Sequence, residues 1–160
     1  MIKLGSDVKV TEVELIYVNK MEDLERPKIT TSLDAFEVLY NSWDKGKLEL
    51  QEQFKIMLLD RKNSCLGVST VATGGVSSCL VDLRLAFATA LKARATAIIL
   101  AHNHPSGNPK QSEDDERLTA KFFKAGQLLD INILDHIVVT RNGYTSFSDN
   151  GLLPAMNYTM

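Results

Sequence analysis

The sequence predicts an α/β domain in which a mixed sheet is flanked by helices, in two or three layers. Three observations carry that expectation. The segments alternate in the order strand, helix, hairpin, helix, strand, helix, hairpin. The run Ile98-Ile99-Leu100-Ala101 is apolar throughout and of strand length, so it reads as a buried strand. The segment from Asp82 to Ala93 has a wide, Ala-rich apolar face suited to packing on a sheet. At 160 residues the chain is long enough for one domain with a real core and too short for two comfortable ones.

Taken in order, Val13, Leu15 and Tyr17 alternate with Glu12, Glu14 and Ile16 and suggest an N-terminal strand, followed by a loop over 19–31. Ser32 is the expected N-cap of a helix with Asp34 in its first turn. Phe36, Leu39, Tyr40 and Trp43 fall at helical spacing before Gly46 ends the segment. That aromatic stripe is core rather than a ligand platform. Residues 52–60 and 64–73 are apolar strands around Arg61-Lys62-Asn63, short enough for a hairpin that Gly74-Gly75 closes. The helix 82–93 and a strand over 95–101 come next. A helix from Ser112 to about Leu129 then presents Leu118, Phe122, Ala125 and Leu129 on one face. Ile131 to Thr140 and Tyr144 to Phe147 pair across Asn142-Gly143. No repeat or low-complexity tract interrupts this order. The organisation expected is an extension over 1–28, a domain over 29–148 and a tail over 149–160.

Composition narrows the function classes. Charged residues at 24% and hydrophobic residues at 44% are those of a soluble globular protein. The formal charge of -2 and the pI near 5.9 provide no basic footprint of the kind nucleic-acid domains show, which weighs against specific DNA binding. No apolar run approaches the roughly 20 residues that span a bilayer. The start MIKLGSDVKV also lacks the regions of a signal peptide, so a cytoplasmic protein with no membrane association is expected. Cys65 and Cys79 have no ligand spacing and read as reduced thiols.

The chemistry concentrates in Ala101-His102-Asn103-His104-Pro105-Ser106-Gly107 with Ser112 and Asp115 behind it. Side chains two apart on extended backbone share a side, so His102 and His104 could face one ion. Pro105 and Gly107 break the strand into a loop, and a carboxylate in the first turn of the following helix could swing back to the same ion. Two neutral imidazoles and one carboxylate, His102, His104 and Asp115, leave zinc with an open fourth position for water. That is the arrangement of catalytic sites, whereas structural sites are usually closed by four ligands.

Ser112-Glu113-Asp114-Asp115 is also close to a capping box, and the two readings are compatible. A capping serine still has its own O–H to donate, and a carboxylate has two oxygens to share. Glu113 and Asp114 read as solvated charges that suit the helix dipole. A general base is best sought in Glu52, at the entrance of the apolar strand Phe54–Leu59, with Glu49 as its rival. Asp135-His136 could supply a third ligand or a contact behind the ligands, although a structural histidine in a strand is the plainer reading.

His102-x-His104, seven residues, Ser112, two residues and Asp115 resembles the JAMM pattern of the MPN/JAB metalloprotease superfamily. The string HNHPSG, with Asp135-His136-Ile137-Val138 downstream, resembles RadC, the bacterial branch that carries a DNA-repair name. The resemblance runs from about Ile29 to Ser148. It implies a cytidine-deaminase-like fold, zinc on His102, His104 and Asp115, Glu52 as general base through the similarity of Gln51-Glu52-Gln53-Phe54, and Ser112 near the oxyanion. RadC members commonly have proline before the serine where this chain has Gln111, a change that loosens the turn without removing a ligand. Longer RadC proteins also carry an N-terminal helix-hairpin-helix region for which these residues leave no length, so DNA function is not expected of this chain alone.

The reaction expected is hydrolysis of an amide or isopeptide bond in a peptide or protein by zinc-activated water. A zinc deaminase would need H-x-E with P-C-x-x-C, and position 103 is Asn with no CxxC in the chain. A two-metal nuclease would need more carboxylates than the loop offers. The non-enzymatic rival is a DNA-repair accessory or interaction module with a non-catalytic zinc. Specificity is expected to lie in loops 74–81 and 105–111.

Overall fold

Thr31, one residue before the cap expected from sequence, starts the first helix of the computed structural model, which describes residues 26–155. The Thr31 hydroxyl accepts the Asp34 N–H at 3.1 Å, and the Asp34 carboxylate accepts the Thr31 N–H at 2.9 Å, a reciprocal capping box that Ser32 is not placed to make. Helix α1 (Ser32–Ser42) then stops short of Gly46. The Ser42 carbonyl is taken by the Lys55 ammonium at 2.9 Å, and Trp43 turns to extended backbone while staying buried. Trp43 thus completes the apolar stripe without being helical. The strand expected around Val13–Tyr17 lies outside the described residues.

Strands β1 (Gln53–Leu59) and β2 (Cys65–Thr73) form the expected antiparallel hairpin. Its turn is held by Asp60 Oδ1, which accepts the Lys62 and Ser64 N–H groups at 2.8 and 2.9 Å, and by Asn63 at φ 57°, a left-handed conformation that asparagine tolerates. Helix α2 (Leu83–Lys92) is capped by Asp82. Strand β3 (Ala97–Asn103), helix α3 (Glu113–Leu129) capped by Ser112, strand β4 (Asn132–Thr140) and strand β5 (Gly143–Ser146) complete the order. β3 runs two residues past its expected end because His102 and Asn103 still pair with Val138 and Val139.

The sheet order is β2-β1-β3-β4-β5, with β3 and β4 parallel and every other pair antiparallel. β1 and β3 are buried at every position, as strands covered on both faces must be. Helix α1 covers one face over Met57, Leu59, Ile99 and Ile137. Helices α2 and α3 cover the other over Phe54, Ile56, Ile98 and Leu100, giving three layers. Period-two alternation along β3 sends Ile98, Leu100 and then His102 to the α3 side.

One irregularity matters to the site. β4 pairs Ile133 with Ile98 but Asp135 with Ile99, which leaves Leu134 as an extra, bulged residue. Ile133 packs in the α3-side core while Ile137 and Val139 pack on the α1 side, so the bulge reverses the alternation and turns His136 toward α3. Helix α3 comes close enough to meet it because Gly126 has no side chain. A Cβ there would lie 2.4 Å from the Ile131 carbonyl oxygen. After β5 the chain folds back in turns, and Leu153 packs against the α3-side core. No helix among the described residues is long and apolar enough to cross a membrane.

Candidate metal centre

The C-terminal end of β3 and the first turn of α3 meet at one point. Ser112 caps α3: its Oγ accepts the Asp115 N–H at 3.2 Å, while Asp115 Oδ2 accepts the Ser112 N–H at 2.7 Å and the Ser112 O–H at 2.8 Å. The cap therefore fixes one carboxylate oxygen and leaves the other to face His102, with Oδ1 3.2 Å from His102 Nε2. His104 Nε2 stands 2.9 Å from His102 Nε2 and 3.7 Å from Asp115 Oδ2. One ligand atom from each of the three residues lies within 4.8 Å of the others.

His104 reaches this point although it follows the strand, because its N–H still bonds the Val139 carbonyl at 3.0 Å. Its Nδ1 lies 2.7 Å from the Asn108 carbonyl oxygen. A carbonyl only accepts, so the His104 proton is on Nδ1 and the Nε2 lone pair faces the cluster. Burial pushes the Asp115 carboxyl up, but His102 and the Ser112 N–H and O–H outweigh it and hold the group well below the usual carboxylate range. Lone pairs brought this close repel unless positive charge lies among them. Two imidazole nitrogens and one carboxylate oxygen are a donor set that zinc takes, one ligand short of a closed tetrahedron.

Glu52 lines the same cleft, of about 830 Å³, as do loops 74–81 and 105–111. Burial raises its carboxyl, the neighbouring His102 and His104 work against that rise, and Asp115 adds to it. Glu52 is placed through its backbone: its N–H bonds the Gly75 carbonyl and its carbonyl accepts the Gly74 N–H, each at 2.8 Å. Glu49 also lines the cleft, but it is half exposed and its Oε2 lies 3.4 Å from Arg141 Nη1, which leaves it the more solvated of the two acids.

Sequence reasoning missed two residues here. Asn103, the middle residue of the H-x-H pair, is fully buried. Its Nδ2 donates to the Leu48 and Gln51 carbonyls at 2.7 and 3.0 Å, and its Oδ1 accepts the Gln53 N–H at 2.8 Å, clipping the segment that carries Glu52 to β3. The signal that finds it is alternation: between two histidines on one face, the middle residue faces the other side, and a buried amide there must find partners. Thr119 is likewise buried, one turn beyond Asp115 in α3, with its Oγ1 2.7 Å from both the Asp115 carbonyl oxygen and His136 Nδ1. Nothing in the sequence marked it.

His136 stands behind the cluster rather than in it, its Nε2 2.8 Å from His102 Nδ1. Of the roles open to it from sequence, its position does not fit a third ligand and fits both a structural histidine, buried with both nitrogens partnered, and a contact behind the ligands. Asp135 accepts from the Ser146 hydroxyl and the Ser148 and His136 N–H groups at 2.6, 2.9 and 2.7 Å, tying β5 to β4. Glu113 and Asp114 pair with Arg117, each at 2.8 Å, on an exposed face. Cys65 and Cys79 are both free thiols.

Residues 29–152 match the RadC-like JAB domain, slightly beyond the span of the sequence resemblance. The chain is 38% identical over 144 residues to a UPF0758 protein of Flavobacterium johnsoniae, an alignment that takes in 89% of this chain and 62% of that protein. It is 46% identical over 102 residues to a UPF0758 protein of Symbiobacterium thermophilum, covering 64% of this chain and 44% of the relative. A UPF0758 protein of Thermotoga maritima is 34% identical over 150 residues, 94% of this chain and 68% of its own length. The chain thus spans roughly half to two thirds of the length of these curated relatives. With the match taking in every described helix and strand, the chain belongs to the RadC-like JAB domain family.

Proposed function

We propose that this domain is a metal-dependent hydrolase of the JAMM type, which cleaves an amide or isopeptide bond in a peptide or protein with zinc held by His102, His104 and Asp115. The observation that carries this reading is the convergence of those three donors in one cleft with Glu52, a carboxyl that burial raises. Zinc bound there would supply a Lewis acid and lower the pKa of water from 15.7 to about 7. Glu52 accepts the proton of the attacking water and returns it to the leaving amine, a task for which a raised carboxyl is suited. The Ser112 hydroxyl stands at the N-terminus of α3, where developing negative charge is favoured. It donates to Asp115 Oδ2 in the resting arrangement and must exchange that bond to reach an oxyanion. The net charge of -2 supports no more than weak, non-specific and strongly salt-dependent DNA affinity for this chain.

Metal analysis of the purified protein beside His102→Ala and His104→Ala is the first test, with loss of zinc expected in both variants. Unchanged zinc content would remove the site. The zinc-loaded protein is then offered a panel of peptides and isopeptide-linked pairs, with a DNA duplex as control. Cleavage confined to the peptides supports the reading. Bound zinc without cleavage of any member would leave a non-catalytic metal module, and cleavage of the duplex would favour a nuclease.

A further inference from the structure

We propose that Thr119 is a positioning residue which, acting through His136, dictates that His102 carries its proton on Nδ1 and so presents the Nε2 lone pair to the metal centre. The argument is one of hydrogen-bond direction. Thr119 Oγ1 lies 2.7 Å from the Asp115 carbonyl oxygen, one helical turn back, and that oxygen can only accept. The single hydroxyl proton of Thr119 is therefore spent there. His136 Nδ1, also 2.7 Å from Oγ1, must then be the donor of that contact.

His136 is fully buried against the rings of Phe54 and Phe147, and its two nitrogens meet Thr119 and His102. Its nitrogens meet a hydroxyl and a second imidazole and no carboxylate, so a charge on this fully buried ring would be desolvated without a counterion, and the ring is neutral. With its one proton on Nδ1, its Nε2 is an acceptor, and the His102 nitrogen 2.8 Å away must be the donor. His102 Nδ1 thus carries the proton, and His102 Nε2 is bare where it faces His104 and Asp115. The opposite arrangement would leave the 2.7 Å oxygen–oxygen contact between Thr119 and Asp115 with no hydrogen in it. The same helix therefore provides a ligand from its first turn and the group that orients a second ligand one turn later. Only the Leu134 bulge brings His136 round to meet it.

This inference rests on His102 being a ligand, so its test reads the ring without metal first. In the metal-free protein at mildly alkaline pH, two- and three-bond proton–nitrogen correlations report which nitrogen of each histidine is protonated. The parent should show His102 protonated on Nδ1. Thr119→Ser keeps the hydroxyl and should keep that tautomer. Thr119→Val keeps the shape but removes the acceptor at His136 Nδ1, so the proton on His102 should move toward Nε2. Zinc affinity, measured by chelator competition, should fall roughly 10- to 100-fold in Thr119→Val and stay near the parent in Thr119→Ser. The proposal is overturned if the parent carries the His102 proton on Nε2, if Thr119→Val changes neither tautomer nor affinity, or if Thr119→Ser behaves as Thr119→Val does. Should Thr119→Val not fold, the parent tautomer and the Thr119→Ser comparison still decide. A parent that shows the expected tautomer yet binds no zinc would refute the metal reading and leave the relay standing.

Discussion

The two sides of the cleft are held in different ways. On the ligand side, each ring or carboxylate is fixed by its own side chain: His102 against His136, His104 against the Asn108 carbonyl, Asp115 against the Ser112 cap. On the base side, Glu52 is fixed through its main chain, by Gly74, Gly75 and the Asn103 clip on its neighbours, while its carboxyl answers to burial and charge. The difference follows from the work asked of each. A metal ligand must aim one lone pair at one point, so rotation about its side-chain bonds has to be removed. A group that collects a proton from one atom and delivers it to another must keep that rotation, so its position is set and its orientation is not.

The comparison breaks most visibly at Glu52. Glu52→Gln keeps size and main-chain anchoring but cannot accept a proton, so peptide hydrolysis should fall by roughly 10² to 10⁴-fold while zinc content stays at the parent level. A variant as active as the parent would hand the role to Glu49, the next position to test. Asn103→Asp comes next. It sets a carboxylate oxygen against the Leu48 and Gln51 carbonyls, so stability should drop by about 1 to 3 kcal/mol in chemical denaturation. Displacing residue 52 should cost on the order of 10²-fold in turnover, with zinc again retained. Loss of zinc together with activity in Asn103→Asp would show that the two sides are not independently held.

Ser112 belongs to both accounts, and Ser112→Ala separates them. Losing the cap should lower stability by about 1 kcal/mol, read from thermal melting. If the hydroxyl acts chiefly on Asp115, zinc affinity falls roughly 10-fold and turnover recovers at saturating zinc. If it also serves the oxyanion, turnover stays about 10²-fold low however much zinc is added.

The ligand side was far more legible in the sequence than the base side, and the reason is locality. His102, His104, Ser112 and Asp115 lie within one strand, loop and helix start, so alternation and capping rules bring them together without knowledge of the fold. Glu52 is delivered by the antiparallel register of β1 on β3, which pairs Phe54 with His102, and register is not written in either strand alone. Thr119 and His136 depend on a bulge at Leu134 and on the close approach allowed at Gly126, two tertiary details with no periodic signature. The one-residue error at the start of α1 has a different origin: Thr31 and Ser32 are both good caps, and only the position of Asp34 relative to Thr31 selects between them.

That cap supplies the smallest expected effect and the control for the others, since α1 covers the face of the sheet away from His102. Asp34 Oδ2 accepts from the Thr30 hydroxyl and N–H and the Thr31 N–H at 2.6, 2.8 and 2.9 Å. These bonds lower its pKa from 3.8 to about 2, with the Thr30 hydroxyl contributing most. A carboxylate whose folded pKa lies below its unfolded one stabilises the native state fully above 3.8, and that contribution disappears as pH falls through about 2. Asp34→Asn removes the charge at every pH. The melting temperature of the variant should therefore lie slightly below the parent's near neutral pH, and the gap should close between about pH 4 and pH 2. Zinc affinity near neutral pH should be the same in both proteins. A gap that persists unchanged to pH 2 would mean that Asp34 acts by shape rather than charge. A change in zinc affinity would mean that the α1 layer reaches the cleft through the sheet, and the independence of the two faces would have to be given up.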